Sequence, residues 1–200
     1  MVSHTSKERP PGAGRSSFDL VDAPKLFAEL RLQSGSILLD LGCGQGWYAF
    51  AASPAIGPEG RIYALDLWEE GISLVKERAA AGGYRNLKAL VADTSKHIPL
   101  ATGSVDVCLM ATVLHDLVEA HTAAGTLKET ARVLKPGGTL AIVEFKKIAG
   151  PPGPPLHIRL APEEVEKLVT PYGFRQDRIT DVGPYNYLIT FIKLIPSLKD

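Results

Sequence analysis

The chain has little that would staple or anchor it. Only two cysteines, Cys43 and Cys108, occur in its 200 residues. Each sits in or beside an apolar run and no Cys-x-x-Cys spacing exists, so both are read as reduced and unpaired. No apolar run reaches the roughly eighteen residues of a membrane span, and no apolar stretch follows the charges at the amino terminus, so neither a span nor a secretory leader is expected. Net charge is missing too, with 22 basic and 22 acidic residues balancing to +0. That argues against a nucleic-acid partner, which is drawn in by a basic field. What the sequence does have is 45% apolar residues, enough for a chain of this size to bury a core without a metal or a disulfide. A cytoplasmic protein is the expectation.

Residues 1–17 mix Ser, Lys, Arg and Gly with Pro10-Pro11 and show no periodicity, the composition of a flexible arm that buries too little to order itself. Residues 18–200 read as one domain. Leu26, Phe27 and Leu30 follow helical spacing behind Pro24. Ile37 to Leu41 is apolar on both faces, as a central parallel strand requires. A helix starts at Trp47, and Arg61 to Asp66 is a second strand. Trp68 to Ala80 carries Ile72, Val75 and Ala79 at helical spacing. Asn86 to Asp93 and Val105 to Ala111 read as the third and fourth strands. Leu127, Ala131 and Leu134 mark a helix that Lys135-Pro-Gly-Gly138 stops, before a fifth strand from Thr139 to Phe145. Ala149 to Pro155 is almost all Pro and Gly and must be loop. Pro162 opens another helix, and two strands remain near 174–182 and 187–193. Alternating strands and helices predict an α/β fold, a Rossmann-like three-layer αβα sandwich whose seven-stranded sheet is mostly parallel with an antiparallel C-terminal strand.

The chemistry gathers where the first strand ends. Asp40, Leu41, Gly42, Cys43, Gly44, Gln45 and Gly46 form an acid followed by glycines at every second position. Such glycines bring bare main chain against a ligand and tolerate positive φ. Asp66, at the end of the second strand, stands twenty residues after Gly46, the place from which a carboxylate accepts hydrogen bonds from ribose hydroxyls. A dinucleotide fold would share that acid but wants Gly-x-Gly-x-x-Gly, and here Trp47 stands where the third glycine belongs.

With these features in the same order, the sequence resembles the class I S-adenosylmethionine-dependent methyltransferases, in particular the small-molecule branch similar to the ubiquinone and menaquinone biosynthesis enzymes. The resemblance runs from about residue 18 to 193. It implies that Gly42, Gly44 and Gly46 hold the methionine part of S-adenosylmethionine, that Asp66 binds the ribose, and that Leu67 and Trp68 flank the adenine. Ala92, Asp93 and Thr94 match the segment near the adenine amino group. Met110 and Ala111 match the stretch beside the cofactor after strand four. Asn/Asp-Pro-Pro-Tyr, the mark of nucleic-acid methyltransferases, is absent there, and the cysteine set of an arsenite methyltransferase is absent as well. Cys43 is expected to be a small buried filler.

Methyl transfer from a sulfonium rests on positioning and exclusion of water, so no single catalytic motif is compulsory. For an acceptor that must lose a proton, His115 with Asp116, just beyond strand four, is the expected base. Both also fit a cap or a surface position. Lys146, His157 and Arg159, near the Pro/Gly loop, are the candidates for holding a polar or anionic group of a small-molecule acceptor. A non-catalytic protein that binds S-adenosylmethionine or S-adenosylhomocysteine, and a nicotinamide-dependent oxidoreductase, are the alternative readings.

Overall fold

The computed structural model describes residues 12–195. The arm expected over residues 1–17 thus falls outside the described residues as far as residue 11. Seven strands form one sheet: β1 (Ile37–Leu41), β2 (Arg61–Asp66), β3 (Leu87–Val91), β4 (Val105–Ala111), β5 (Leu134–Phe145), β6 (Phe174–Asp181) and β7 (Asn186–Lys193). Their order is β3-β2-β1-β4-β5-β7-β6. The first five run parallel, and β7 lies antiparallel between β5 and β6.

Strands apolar on both faces dictate three layers, because each face must be covered by helices. Leu38, Val107, Leu109, Ala141 and Val143 point into one core with Leu26 of α1 (Ala23–Leu30), Ala49 of α2 (Trp47–Ile56) and Ile72 and Val75 of α3 (Glu69–Ala81). Their neighbours in sequence, Leu39, Cys108, Met110, Leu140 and Ile142, point into the other. That second core is closed by Leu114 of α4 (Leu114–Glu119), Leu127 of α5 (Ala123–Val133) and Val165 of α6 (Pro162–Val169). Period-two alternation of the strand side chains feeds both cores from the same few residues. At the helix ends, Asp22 accepts a hydrogen bond from Lys25 N–H at 3.0 Å and caps α1, with Pro24 in the first turn.

Two boundaries differ from the sequence reading. Lys135-Pro-Gly-Gly138 does not precede the fifth strand but lies inside it, because Leu134 already pairs with Val105 and the ladder then slips between Val105 and Val107. Gly137, at φ 78°, accommodates the irregularity. The six-residue helix α4 has no counterpart in the expected elements, being too short for its periodicity to show. It follows β4 directly and sets the far wall of the site.

Candidate active site

Strand order reverses at β1, where the chain runs outward first through β2 and β3 and then on the other side through β4 and β5. In open α/β sheets ligands settle outside the carboxyl ends at such a switch point. A cavity of about 270 Å³ lies there, floored by the segments that follow β3, β2, β1 and β4 and roofed by residues 12–17.

The glycine loop is shaped by its own main chain. Gly42 N–H and Cys43 N–H both donate to Leu65 O, at 2.8 and 3.0 Å, so the chain turns across the end of β2. Gly42, Gly44 and Gly46 all take left-handed φ, at 72°, 53° and 76°. Their reasons differ. A β-carbon at Gly42 would stand 2.6 Å from Val113, and one at Gly46 would press on Val75 and Phe50. At Gly44 it would meet nothing within 4 Å and would occupy the cavity itself. Gly46 therefore serves packing, while Gly44 keeps main chain open to a ligand.

Asp66 lines the cavity, with Oδ2 accepting from Gly44 N–H at 2.7 Å and Oδ1 from Trp68 N–H at 2.8 Å. A carboxylate offers about four acceptor positions, so its geometry is fixed with capacity left for ligand hydroxyls. Asp93 lines the same end and is held by Ser95, through its N–H and hydroxyl, and by Lys96 Nζ at 2.8 Å. The hydrogen bond from Lys96, with those from Ser95, holds its carboxyl below the ordinary range. Leu41, Gly42, Cys43, Leu67, Ala92, Thr94 and Ala111 complete the expected lining. Leu67 is 48% exposed and presents an apolar edge there.

Four residues of the expected cofactor set do not line the cavity. Asp40 is buried beneath the loop, where Oδ2 accepts from Ala49 N–H at 3.1 Å. Burial pushes its carboxyl up to about 7, against the pull of that hydrogen bond and with help from the charge of Asp66. Met110 and Gly46 belong to the packing around the cavity, and the Trp68 ring lies against Gly71.

The acceptor-side residues separate more sharply. His115 is 4% exposed and faces β5, where Nδ1 lies 2.7 Å from Glu144 Oε2 and the His115 N–H donates to Glu144 Oε1 at 3.1 Å. Asp116, one residue on and so turned about 100° round α4, does line the cavity. Its Oδ1 lies 3.6 Å from His115 Nε2. Burial pulls the imidazole down, but the hydrogen bond and charge of Glu144, with Asp116, outweigh it and leave His115 raised. Burial raises Asp116 as well.

Arg159 is not a free anion clamp. It is 2% exposed, and Nε, Nη1 and Nη2 donate to the carbonyls of Pro154, Lys146, Ile148, Gly150 and Pro152 at 2.7 to 3.2 Å. A guanidinium has five N–H donors, and all are turned to the main chain of the Pro/Gly loop. Lys146 Nζ is engaged by Gly183 O and Asp181, both at 3.1 Å, and His157 is exposed on the short turn Leu156–Ile158. None of these three lines the cavity.

Sequence reasoning missed how the roof is fastened. Ser17 Oγ lies 2.8 Å from Tyr48 Oη and 3.1 Å from Thr112 Oγ1, joining the segment before α1 to α2 and to the end of β4. Phe18 packs edge-on against the Tyr48 ring at 5.1 Å. Thr112, a β-branched residue, sits at φ 54°, a conformation kept where a site needs it. The one visible hint was Tyr48, directly after the glycine loop.

With that geometry in place, comparison with known proteins defines the class. A model of the methyltransferase domain family matches residues 39–142. A solved S-adenosylmethionine-dependent methyltransferase from Aquifex aeolicus is 32% identical, covers 90% of this chain and 94% of its own, and superposes with a TM-score of 0.81. The chain belongs to the S-adenosylmethionine-dependent methyltransferases.

Among curated relatives, an arsenite methyltransferase of Halobacterium salinarum is 33% identical over 126 residues, 63% of this chain and 31% of that protein. A demethylmenaquinone methyltransferase of Geobacillus stearothermophilus is 31% identical over 119 residues, 60% of this chain and 49% of that protein. This chain thus spans half or less of those two proteins. The family's cofactor is S-adenosylmethionine, and the cavity suits it. Gly44 leaves main chain bare where a β-carbon would intrude, and Asp66 keeps acceptor capacity beside the apolar edge of Leu67. Among the described residues no helix is long and apolar enough to cross a membrane.

Proposed function

We propose that this chain transfers the methyl group of S-adenosylmethionine to a small-molecule acceptor. The observation that carries the reading is the run of the cavity along the sheet, from Asp93 after β3 and Asp66 after β2, past Gly44 after β1, to Thr112 and Asp116 beyond β4. The cofactor supplies an electrophilic methyl group on a sulfonium. Asp66 accepts the ribose hydroxyls, Leu67 and Asp93 flank the base, and the main chain of Gly42 to Gly44 carries the amino-acid end. Residues 12–17 and Tyr48 cover the reacting part from water, which is where positioning gains its effect.

The acceptor reaches the cofactor from the β4 side, over Val113, Leu117 and Asp116. The balanced formal charge supports a small-molecule acceptor over a nucleic acid. The relative named for arsenite does not extend to this acceptor. Cys43 and Cys108 are the only thiols, both are buried, and burial with the nearby charge of Asp40 pushes both well up from the ordinary thiol range, away from the thiolate such chemistry needs.

A calorimetric titration with S-adenosylmethionine, S-adenosylhomocysteine and NADH tests the reading. Saturable binding of the first two and none of NADH is expected, followed by transfer of labelled methyl to members of a small-molecule acceptor panel. Binding of NADH alone would overturn it in favour of redox chemistry.

A further inference from the structure

We propose that Asp116 is the base that takes the acceptor's proton, that the buried His115–Glu144 pair positions it, and that the acceptor has an apolar body presenting one O–H or N–H. This rests on the methyl-transfer reading above. Three carboxylates line the cavity among the described residues: Asp66, Asp93 and Asp116. The first two stand at the β2 and β3 end and are engaged there by main chain, Ser95 and Lys96. Asp116 stands at the opposite end, beyond β4. Parallel strands lie about 4.8 Å apart, so a nucleoside held over β2 and β3 directs the rest of the cofactor over β1 toward β4. The carboxylate on that side is Asp116.

Its surroundings hold it in place. A β-carbon on Gly12 would stand 2.7 Å from Asp116 Oδ2, so the roof segment closes directly on this carboxylate. On its other side His115 Nε2 lies 3.6 Å from Oδ1, and His115 is gripped at both its ring nitrogen and its main chain by Glu144, which is fully buried. Val113, Leu117 and Ala120 give that end an apolar wall, with Arg15, Thr112 and Thr122 as the polar part of its lining, and the apolar wall suits an acceptor with an apolar body.

In the step, a lone pair of the acceptor oxygen or nitrogen forms the bond to the methyl carbon, and the carbon–sulfur electron pair stays on sulfur. The acceptor's proton passes to Asp116. One positive charge is lost from sulfur and one negative charge from the carboxylate, so the reacting groups end neutral. Burial raises the carboxyl of Asp116 and makes it a stronger base than an exposed aspartate. The other charges that bear on it are His115 and Glu119 of α4, Glu144 of β5 and Arg15 of the roof; Arg159 bears on His115.

Sinefungin tests this without a known acceptor, because it carries an amino group where the cofactor carries the transferred methyl. The expected result is that Asp116→Asn binds S-adenosylhomocysteine as wild type does but binds sinefungin about tenfold more weakly, having lost one charge-assisted contact. Unchanged affinity for both, or equal loss of both, overturns the proposal. Failure of S-adenosylhomocysteine to bind the wild type would instead sink the cofactor reading beneath it.

The positioning role has its own readout in the pH profile. The wild-type preference for sinefungin falls as pH drops and Asp116 takes up a proton. In His115→Gln that fall moves to higher pH, because the imidazolium charge that pulls Asp116 down is gone. A fall at unchanged pH overturns the role of the pair.

Discussion

The two ends of the cavity are built by different means. At the proposed cofactor end, the strand tips of β1, β2 and β3 present main chain, and the lining residues lie within a few positions of a strand terminus: Gly42 to Gln45, Asp66 and Leu67, Asp93 and Thr94. At the proposed acceptor end, the end of β4, α4 and the roof segment meet through side chains far apart in sequence, such as Ser17 with Thr112, and Glu144 of β5 holds α4 from behind through His115. The first end is specified locally and the second only by the finished fold. A shared cofactor can be held by a repeated backbone device, while each acceptor needs its own side chains.

Filling the backbone device should have the largest effect. Gly44→Val places a branched side chain in the open cavity at φ 53°. A loss of about hundredfold or more in S-adenosylhomocysteine affinity is expected by calorimetry, and wild-type affinity would remove this loop from the site. Arg159→Ala should separate the Pro/Gly loop from the cofactor end. It strips the donors from five loop carbonyls, and stability should fall by about 2–3 kcal/mol, since buried acceptors left without partners cost on the order of 1–3 kcal/mol each and water reaches some of them. Urea unfolding would show the loss, and proteolysis should become faster between residues 146 and 159 while cofactor affinity holds. A parallel loss of affinity would mean the two are coupled.

The same contrast explains what the sequence discloses. Strands β1 to β5 are legible because they are mostly apolar runs punctuated by Gly and Pro, and the glycine loop and Asp66 are legible because main-chain devices need particular residues at fixed spacing. Arg159 is not, since nothing in the composition of a Pro/Gly loop tells that its carbonyls converge on one guanidinium. His115 and Asp116 were placed at the mouth together, and only the rotation of a six-residue helix turns the histidine to Glu144 and the aspartate to the cavity. The Lys135–Gly138 segment has the composition of a turn yet lies within a strand, because pairing of Leu134 with Val105 overrides it.

Asp40, beneath the local end, carries a smaller and opposite effect. Its carboxyl is raised from 3.8 to about 7 by burial, so the folded state favours the protonated form and ionisation opposes folding. The penalty grows as pH rises through that interval and is complete above it. Asp40→Asn keeps an acceptor for Ala49 N–H and removes the charge. It should leave stability nearly unchanged at about pH 4 and raise it by about 1–2 kcal/mol above pH 7. Thermal melts at the two pH values check this, and a gain confined to the acidic side would reverse the assignment.

The smallest expected difference lies at Thr112, where the two ends join. Its Oγ1 is 3.1 Å from Ser17 Oγ, while φ 54° disfavours a β-branched residue. Thr112→Val keeps the strain and loses the hydrogen bond, so it should cost about 1 kcal/mol. Thr112→Gly loses the same bond and adds chain entropy in the unfolded state, but it relieves left-handed strain on the order of 1–2 kcal/mol, bringing the net change to within about 0.5 kcal/mol. The glycine variant should therefore be the more stable of the two by about 1 kcal/mol, a gap that paired urea titrations resolve. If the valine variant is the more stable, the turn after β4 stores no strain. Val113, which packs on Gly42, would then be held against the glycine loop by packing alone.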